Sequence, residues 1–391
     1  MTKIAGSIAI LDFIFLVFRP TSNNEDYVLF YVGLWPNDGW TGQKLVLYRA
    51  FEYFIHGLAF TFIVITSIGS YMVQNDLPVF MSNLDKTCVA YNFVVKVFFF
   101  LRSRERLKGL IKEIQGSGDR VTEDRKKQMA YSLLVIIVLA TALTSVFCGI
   151  SLLKGEMTVV AWVPFDVNKS FMNLFLSVQI LSGTFVVPCL YRGLAMQGVI
   201  CSIVMYFCDQ LDDVQCRLRG LMYSERASHE IKEDIKWIIQ KHVRIIRYAN
   251  TLKGITKEFF LIQNLAMTFE LCLNAIMVTL MGSENKTMLA SFLAFLSLAL
   301  INAYIFCYIG NELITKSIGV ANAAYETSWL QWPVPMQKYV LTILTVAQRP
   351  LALTAGGMKI MCMQTFGHVC SYINAGGRIW GFSQHTLNVD Q

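Results

Sequence analysis

The stretch Gln348–Ile373, QRPLALTAGGMKIMCMQTFGHVCSYI, decides how the chain is interpreted. It follows a shorter apolar run, Met336–Ala347, which cannot cross a bilayer because a spanning helix needs about 20 apolar residues. Pro350 has no backbone N–H to donate and disfavours helix at Arg349, so we do not expect one continuous helix. We therefore predict a cytosolic helix, a break at this proline, and a last membrane helix over Leu351–Ile373.

The composition is that of a polytopic membrane protein. The 391 residues are 54% hydrophobic and only 16% charged, whereas about a quarter of the residues in soluble domains are charged. The net charge of +7 is modest and unevenly distributed, so it bears on topology and gives no reason to expect a nucleic-acid partner. The ten cysteines form no CxxC pair and lie in or beside apolar runs, so we expect buried thiols.

Seven stretches are interpreted as transmembrane helices, which predicts an all-α membrane protein. In order they are Leu45–Val73, Pro78–Leu101, Ala130–Leu153, Phe171–Cys208, Phe259–Met281, Met288–Asn311 and Leu351–Ile373. The fourth is too long for a hydrocarbon core of about 30 Å, so we expect it to kink near Pro188 and leave the membrane. Lys96 in the second span is expected to extend to the interface. Before the fifth span, Ile231, Ile235, Ile238 and Val243 recur at helical spacing, which predicts an amphipathic cytosolic helix.

Two independent counts give the orientation. The loop between spans two and three holds nine Lys or Arg and the loop between spans four and five holds ten. The loops on the other face hold only Lys86, Lys154, Lys169 and Lys286. The positive-inside rule therefore places the two basic loops and the N-terminus in the cytosol, and the C-terminus outside. The sequons at Asn168 and Asn285 both fall in loops predicted to be outside, so we expect glycans there.

This orientation argues against a G-protein-coupled receptor, whose N-terminus is outside. The triplet Asp119-Arg120-Val121 is reminiscent of that class but lies in a charged loop before the third span. The chain has no GxxxxGK[ST], HExxH or GxSxG motif, and no two of its five histidines share metal-ligand spacing. We therefore expect no enzyme, no cofactor and no metal site. Glu270 in the fifth span has two open interpretations: a hydrogen bond inside the bundle, or a ligand or ion-path role.

The end of the chain resembles the insect odorant receptor family. The residues that carry the resemblance are Glu312, Ser317, Val320, Tyr325, Trp329, Gln348-Arg349-Pro350-Leu351, Thr354-Ala355-Gly356, Met363, Thr365-Phe366 and Ser371-Tyr372. Weaker matches occur earlier, at Gly33-Leu34-Trp35-Pro36, Trp162-Val163-Pro164-Phe165-Asp166, Gln179 and Cys208-Asp209-Gln210-Leu211. The matches follow the chain in order and agree with the inverted seven-span topology.

The resemblance implies an odour-gated, non-selective cation channel subunit in the plasma membrane of sensory neuron dendrites. It implies a heterotetramer with a conserved co-receptor in contact with membrane lipid. The loop between spans four and five is shorter here than in the co-receptor, so the chain looks like a tuning subunit. The resemblance also implies a cytosolic subunit anchor and a pore along the last span. We assign the anchor to Tyr325, Trp329, Arg349 and Pro350, and the pore lining to Thr365, His368, Val369 and Tyr372.

The resemblance places the pocket for a small apolar volatile in the outer half of the bundle, among spans two, three, four and six. At that depth the chain offers Tyr91, Phe147, Ser151, Phe175, Gln179, Phe292 and Phe295. Such a site needs a mostly aromatic and aliphatic lining with few polar groups. For each aromatic, ordinary packing against the core or lipid is the alternative. A hydrogen bond between helices explains Gln179 equally well.

The expected layout has five parts. They are a cytosolic segment with a short interfacial helix (1–44), spans one to six (45–311), a cytosolic anchor helix (312–350), the pore helix (351–373) and a tail (374–391). The tail departs from the family, because Asn374, Gly376, Gly377 and Arg378 interrupt the helix where a gate is expected. Our hypothesis is a retained intron or an unusual splice form. A gustatory-type chemoreceptor channel and a secondary transporter are the alternatives, although no internal repeat is visible.

Overall fold

The computed structural model describes residues 32–36, 41–119, 121–157, 159–221, 228–281, 286–368 and 371. These residues form a bundle of long helices, since almost every apolar stretch adopts helical structure. The helices are α1 Gln43–Met72, α2 Leu77–Gly116, α3 Glu123–Lys154, α4 Phe171–Phe185, α5 Arg192–Gly220, α6 Ser228–Met281, α7 Lys286–Tyr325 and α8 Val334–Ala347. Short 3₁₀ helices lie at Val167–Lys169 and Trp329–Gln331, and strands β1 Thr354–Ala355 and β2 Lys359–Ile360 form an antiparallel hairpin.

Four helical stretches among the described residues are long and apolar enough to cross a membrane. They are Gln43–Met72, Ile137–Lys154, Phe171–Gly220 and Leu296–Tyr325, which correspond to predicted spans one, three, four and six. The second predicted span lies within α2 and the fifth within α6, but neither helix contributes such a stretch within the described residues that were searched. The seven-span topology and the orientation therefore stay predictions.

The fourth predicted span departs from α-helical geometry where the sequence indicates. α4 ends at Phe185, a π-helical segment covers Val186–Tyr191, and α5 continues to Gly220. Pro188 lies inside the π-helical segment. Because a proline has no N–H for the α-helical hydrogen bond, it interrupts the regular α-helical pattern at this place. The sequence therefore locates the irregular segment correctly at Pro188, whereas the predicted kink and the exit from the membrane stay predictions.

The predicted amphipathic helix and the fifth span form one continuous helix. α6 runs for 54 residues without interruption. Ile231, Ile235 and Ile238 are buried, as the periodicity predicts, whereas Val243 is exposed. α6 therefore connects the cytosolic part of the predicted topology to the membrane part.

Among the described residues, two large hydrophobic cores and one small cluster hold the bundle together. The larger core joins α2, α5, α6, α7 and α8, and includes Phe207, Ile235, Val320 and Val340. The smaller one joins α1, α2, α3 and α5, and includes Phe62 and Phe93 with residues of the π-helical segment. Since burial of apolar surface is the main stabilising contribution, these cores fix the positions of the helices around the cavity described below.

The short segment before α1 is bound by three helices. The Arg192 guanidinium at the start of α5 is fully buried, and its Nη2 donates to the Gly33 carbonyl oxygen at 3.0 Å. Its Nη1 lies 3.1 Å from Nδ1 of His56 on α1. The Trp35 N–H donates to the Tyr48 hydroxyl at 2.9 Å, and the Lys108 ammonium of α2 lies 5.0 Å from the Trp35 ring.

The predicted last helix, Leu351–Ile373, is wrong over its first half. Thr354–Ile360 forms the β-hairpin, and helical structure begins only at Met363. The turn needs Gly356 and Gly357, whose φ angles of 58° and 77° lie in the left-handed region that favours glycine. The Gly356 N–H donates to the Lys257 carbonyl oxygen at 2.9 Å, so α6 holds the hairpin in place.

The predicted single anchor helix, residues 312–350, is also wrong. α7 continues through Asn311 to Tyr325, because nothing in the sequence stops a helix at the end of the sixth span. The chain then breaks at Glu326-Thr327-Ser328, and α8 begins after Pro333, whose fixed φ suits a residue just before a helix. The stretch predicted as one anchor helix therefore comprises the end of α7, the Trp329–Gln331 turn and α8.

Candidate ligand cavity

A cavity of about 140 Å³ lies in the bundle, and helices α1 to α7 all contribute to its wall. Its wall contains four aromatic rings, Phe62, Phe93, Phe147 and Phe185. Aliphatic side chains complete the wall, among them Leu139, Leu143, Val178, Leu181, Leu190, Leu194 and Leu298. A mostly apolar wall with a few polar groups is typical of a small-molecule site.

The polar side chains that line the cavity come mainly from α2, α6 and α7. They are Lys86, Asn92, Gln263, Glu270 and Asn302, together with the hydroxyl groups of Thr144, Ser151 and Ser182. Glu270 is buried, and its position on the cavity wall is compatible with both interpretations left open by the sequence. Polar groups at this depth are expensive in a membrane, so their positions are informative about function.

Lys96 is buried next to the cavity and does not extend to the interface as predicted. Its ammonium donates to Oε1 of Gln263. It also lies 5.5 Å from the Phe93 ring and 5.0 Å from the Phe259 ring. A cation held by one amide and two aromatic faces is compensated inside the protein, so the side chain does not need to reach water.

Two of the predicted ligand-binding residues line the cavity. Phe147 and Ser151 are one turn apart on α3, and the Ser151 hydroxyl donates to the Phe147 carbonyl oxygen at 3.1 Å. Since residues four apart share one face of a helix, both side chains face the same space.

The other predicted ligand-binding residues are not brought together with these two. The Tyr91 hydroxyl lies 3.0 Å from the Ser67 hydroxyl of α1, and Tyr91 does not line the cavity. Phe175 and Gln179 on α4 are exposed and also lie outside the cavity lining. Phe292 and Phe295 belong to α7, but their side chains are outside the described residues.

Sequence reasoning missed most of the lining. Phe62 lies on α1, a helix that was not considered for the pocket. Phe185 directly precedes the π-helical segment, and Leu190 lies inside it. One signal was available in the sequence. Asn92, Gln263 and Asn302 are carboxamides inside apolar stretches, where a polar side chain is energetically costly and therefore indicates a structural or functional role.

The residues predicted to line a pore or to anchor subunits lie at the end of α7 or after it. The Thr365 hydroxyl donates to the Ile360 carbonyl oxygen at 2.8 Å, and His368 is exposed on the helix that begins at Met363. The anchor residues Tyr325, Arg349 and Pro350 are exposed, whereas Trp329 packs partly against the larger core. Val369, Tyr372 and the side chains of Asn168 and Asn285 are outside the described residues. These roles stay predictions.

Within the part of the chain that the structure describes, no three His, Cys, Asp or Glu side chains come close enough to hold a metal ion. The side chains on the cavity wall offer apolar contact, hydrogen-bonding groups and the charged groups of Lys86 and Glu270.

The fold is similar to a solved receptor structure. The structure of the insect olfactory receptor OR5 from Machilis hrabei, in complex with eugenol, superposes with a TM-score of 0.75. The superposition covers 95% of this chain and 97% of that receptor at 14% sequence identity. At that identity the similarity concerns the fold alone.

Sequence comparisons identify the family. Odorant receptor 94a of Drosophila melanogaster is 22% identical over 85% of this chain and 90% of its own length. Odorant receptor 22c of the same insect is 22% identical over 81% and 86%. Odorant receptor 30a of Drosophila melanogaster is 23% identical over a shorter match, which covers 43% of this chain and 45% of that receptor. The family described as 7tm odorant receptor matches residues 76–373. The chain therefore belongs to the insect odorant receptor family, a family of membrane receptors and not of enzymes.

Proposed function

We propose that the chain is the odorant-binding subunit of a ligand-gated, non-selective cation channel. The observation that carries the proposal is the cavity enclosed by Phe62, Phe93, Phe147 and Phe185. A small volatile with few polar atoms gains free energy by leaving water for such a wall. The similar fold of a receptor solved with eugenol is compatible with this use of the bundle.

A route for gating runs from the cavity to the last helix. Asn302 lines the cavity, and Tyr304, two residues later on α7, contacts the Phe366 ring with centroids 5.6 Å apart. Phe366 also packs beside Met267 of α6 and Ala303 of α7. An odorant that binds more tightly to the open arrangement of α6 and α7 would shift the population towards it. A preference of a few kcal/mol is sufficient for such a shift.

The proposed partner is the odorant receptor co-receptor, in a heterotetramer. Large apolar side chains are exposed along the end of α7 and along α8, namely Tyr325, Leu330, Val334, Tyr339, Leu341 and Val346. Exposed apolar residues grouped in this way mark a surface that is covered in the assembled state. The proposed orientation puts this surface in the cytosol and the cavity near the outer side of the plasma membrane of a sensory neuron dendrite.

Expression with and without the co-receptor, while current is recorded during application of an odorant panel, tests the proposal. We expect odour-evoked, non-selective cation current only when both chains are present. Uptake of a labelled odorant without any current would instead indicate a transporter and would contradict the proposal. Current without the co-receptor would contradict the proposed heterotetramer but would still support the proposal that the chain forms a channel.

A further inference from the structure

Three carboxamide side chains line the cavity: Asn92 of α2, Gln263 of α6 and Asn302 of α7. We refer to them as the carboxamide cluster. Along α2 and α7, which run in the same direction by the predicted topology, Asn92 and Asn302 are among the last lining residues. Along α6, which runs in the opposite direction, Gln263 is the first. The cluster therefore lies at one end of the cavity.

Contacts in the adjoining helical turn show that Asn92, Gln263 and Asn302 lie at the same height along the bundle axis. Lys96, one turn beyond Asn92, donates to Gln263 and lies 5.0 Å from the Phe259 ring. Phe306, one turn beyond Asn302, also contacts the Phe259 ring, with centroids 5.9 Å apart. Lys96, Phe259 and Phe306 therefore form one layer below the cluster.

The cluster has unused hydrogen-bonding capacity. Oδ1 of Asn92 and Oδ1 of Asn302 are buried and accept no hydrogen bond among the described residues. Oε1 of Gln263 accepts from Lys96, so the amide nitrogen of Gln263 is the group that remains for a ligand. Buried polar groups in folded proteins nearly always have a partner, and those without one need an explanation.

The hydroxyl groups on the cavity wall differ from the cluster in this respect. The hydroxyl groups of Thr144, Ser151 and Ser182 each donate to a backbone carbonyl of their own helix, at 2.9, 3.1 and 3.2 Å. Their donor capacity is therefore used within the protein. Among the residues that line the cavity, the carboxamide cluster offers the clearest unmet demand for a polar group of a ligand.

We infer that the cavity selects odorants that carry a hydroxyl group, bound at the carboxamide cluster with the apolar part against the phenylalanines. A hydroxyl group donates one hydrogen bond and accepts two, so it matches a buried carboxamide oxygen together with an amide N–H. The match is kept if the amide oxygen and nitrogen exchange places, because the hydroxyl pairs with either. This inference rests on the proposed function, since it concerns the ligand of the same cavity.

The first experiment compares alcohols with their methyl ethers on the unaltered chain expressed with the co-receptor. The probes are phenols and aliphatic alcohols of about six carbons, because a dry apolar cavity of about 150 Å³ holds a molecule of the size of benzene. An ether keeps the shape and most of the apolar surface but has no hydrogen to donate. We expect a half-maximal concentration at least about tenfold lower for each active alcohol than for its ether. Equal potency within the pairs would overturn the inference.

The second experiment changes the cluster. Asn302→Leu and Asn92→Leu replace a carboxamide by an apolar group of similar volume, so the preference for alcohols should fall to less than about threefold while responses to the ethers persist. The matched control is Gln179→Leu, which removes an exposed carboxamide outside the cavity lining. We expect the control to keep the preference of the unaltered chain. A preference that survives both cluster changes, or is lost in the control, contradicts the inference.

Different results would contradict the proposed function and the proposed selectivity for hydroxyl groups. If no compound of the panel evokes current in the unaltered chain with its co-receptor, the proposed function fails. If ethers and alcohols evoke current equally well, the proposed function stands and only the hydroxyl selectivity fails. Surface labelling of each variant shows whether it reaches the membrane, and a persisting response to the ethers shows that it still opens.

Discussion

At the scale of single residues, the cavity makes a direct prediction about Phe147. Phe147→Ala removes an aromatic ring from the cavity wall, so an odorant loses apolar contact area. We expect the half-maximal odorant concentration to rise by roughly ten- to a hundredfold, a loss of about 1.4–2.8 kcal/mol of binding free energy. Dose–response recordings with the co-receptor measure it.

Phe175→Ala is the matched control for this substitution. Phe175 was also predicted to bind ligand, but it is 40% exposed and does not line the cavity. We expect a change of less than about twofold. A larger shift for Phe175 than for Phe147 would mean that the ligand binds elsewhere in the bundle.

A second residue prediction concerns the buried guanidinium of Arg192. Arg192→Leu leaves the Gly33 carbonyl oxygen and the His56 ring without their partner. We expect the purified protein to lose about 2–3 kcal/mol of stability, because hydrogen bonds from charged groups are the stronger ones. Thermal unfolding in detergent, followed by size-exclusion chromatography, measures the loss.

Arg219→Leu gives the comparison for Arg192. Arg219 pairs with Glu326 at 3.0 Å, but both side chains are about half exposed, so the pair contributes little. We expect its unfolding temperature to remain within about 1 °C of the unaltered protein, since exposed ion pairs have a small effect. Equal losses in the two variants would show that Arg192 has no special structural role.

At the scale of elements, the hairpin between α8 and the last helix depends on its glycines. Gly356→Ala places a methyl group in a left-handed conformation, with its Cβ only 3.1 Å from a methyl group of Leu261. We expect a loss of about 1–2 kcal/mol in the free energy of unfolding, the usual cost of that conformation for a residue with a Cβ.

Gly57→Ala is the control, since the added Cβ within α1 meets no atom within 4 Å. Alanine should stabilise that helix by about 0.5–1 kcal/mol. Thermal unfolding of both variants tests this, and similar changes would contradict it.

The elements also show how far a sequence can predict this fold. Hydropathy predicts the long helices, and Pro188 predicts where the fourth span departs from α-helical geometry, because both signals are local. The hairpin was missed because Leu351–Ile360 is apolar enough for a helix. Its strand structure depends on a hydrogen bond between Gly356 and Lys257, which are distant in sequence.

The sequence predicted how deep the cavity lies in the bundle. It predicted only in part which face of each helix lines the cavity. Tyr91 was expected to line the pocket, and the residue that does so is its neighbour Asn92. Neighbouring residues on a helix point about 100° apart, so an error of one position changes the side chain that meets the ligand. The facing direction is set by packing between helices, which a single sequence does not display. On α3 the prediction reached Phe147 and Ser151, both on the lining face.

At the scale of the whole molecule, glycan mapping tests the predicted orientation. Asn168→Gln and Asn285→Gln should each remove one glycan and increase electrophoretic mobility, because both loops are predicted to be outside. Met222→Asn creates a new Asn-Tyr-Ser sequon in the basic loop between spans four and five, and this site should stay unmodified. A glycan on the new sequon, with none at Asn168 and Asn285, would reverse the orientation.

The π-helical segment has a consequence for the phase of the helix that follows it. Phe185, Leu190 and Leu194 all line the cavity, with spacings of five and then four residues. A π-helical turn contains one residue more than an α-helical turn, so it resets which positions face inward. Without that extra residue, the side chains of α5 would be rotated by about 100° about the helix axis. Leu194 would leave the cavity and Arg192 would leave Gly33, so this one segment keeps the cavity wall and the buried guanidinium in register.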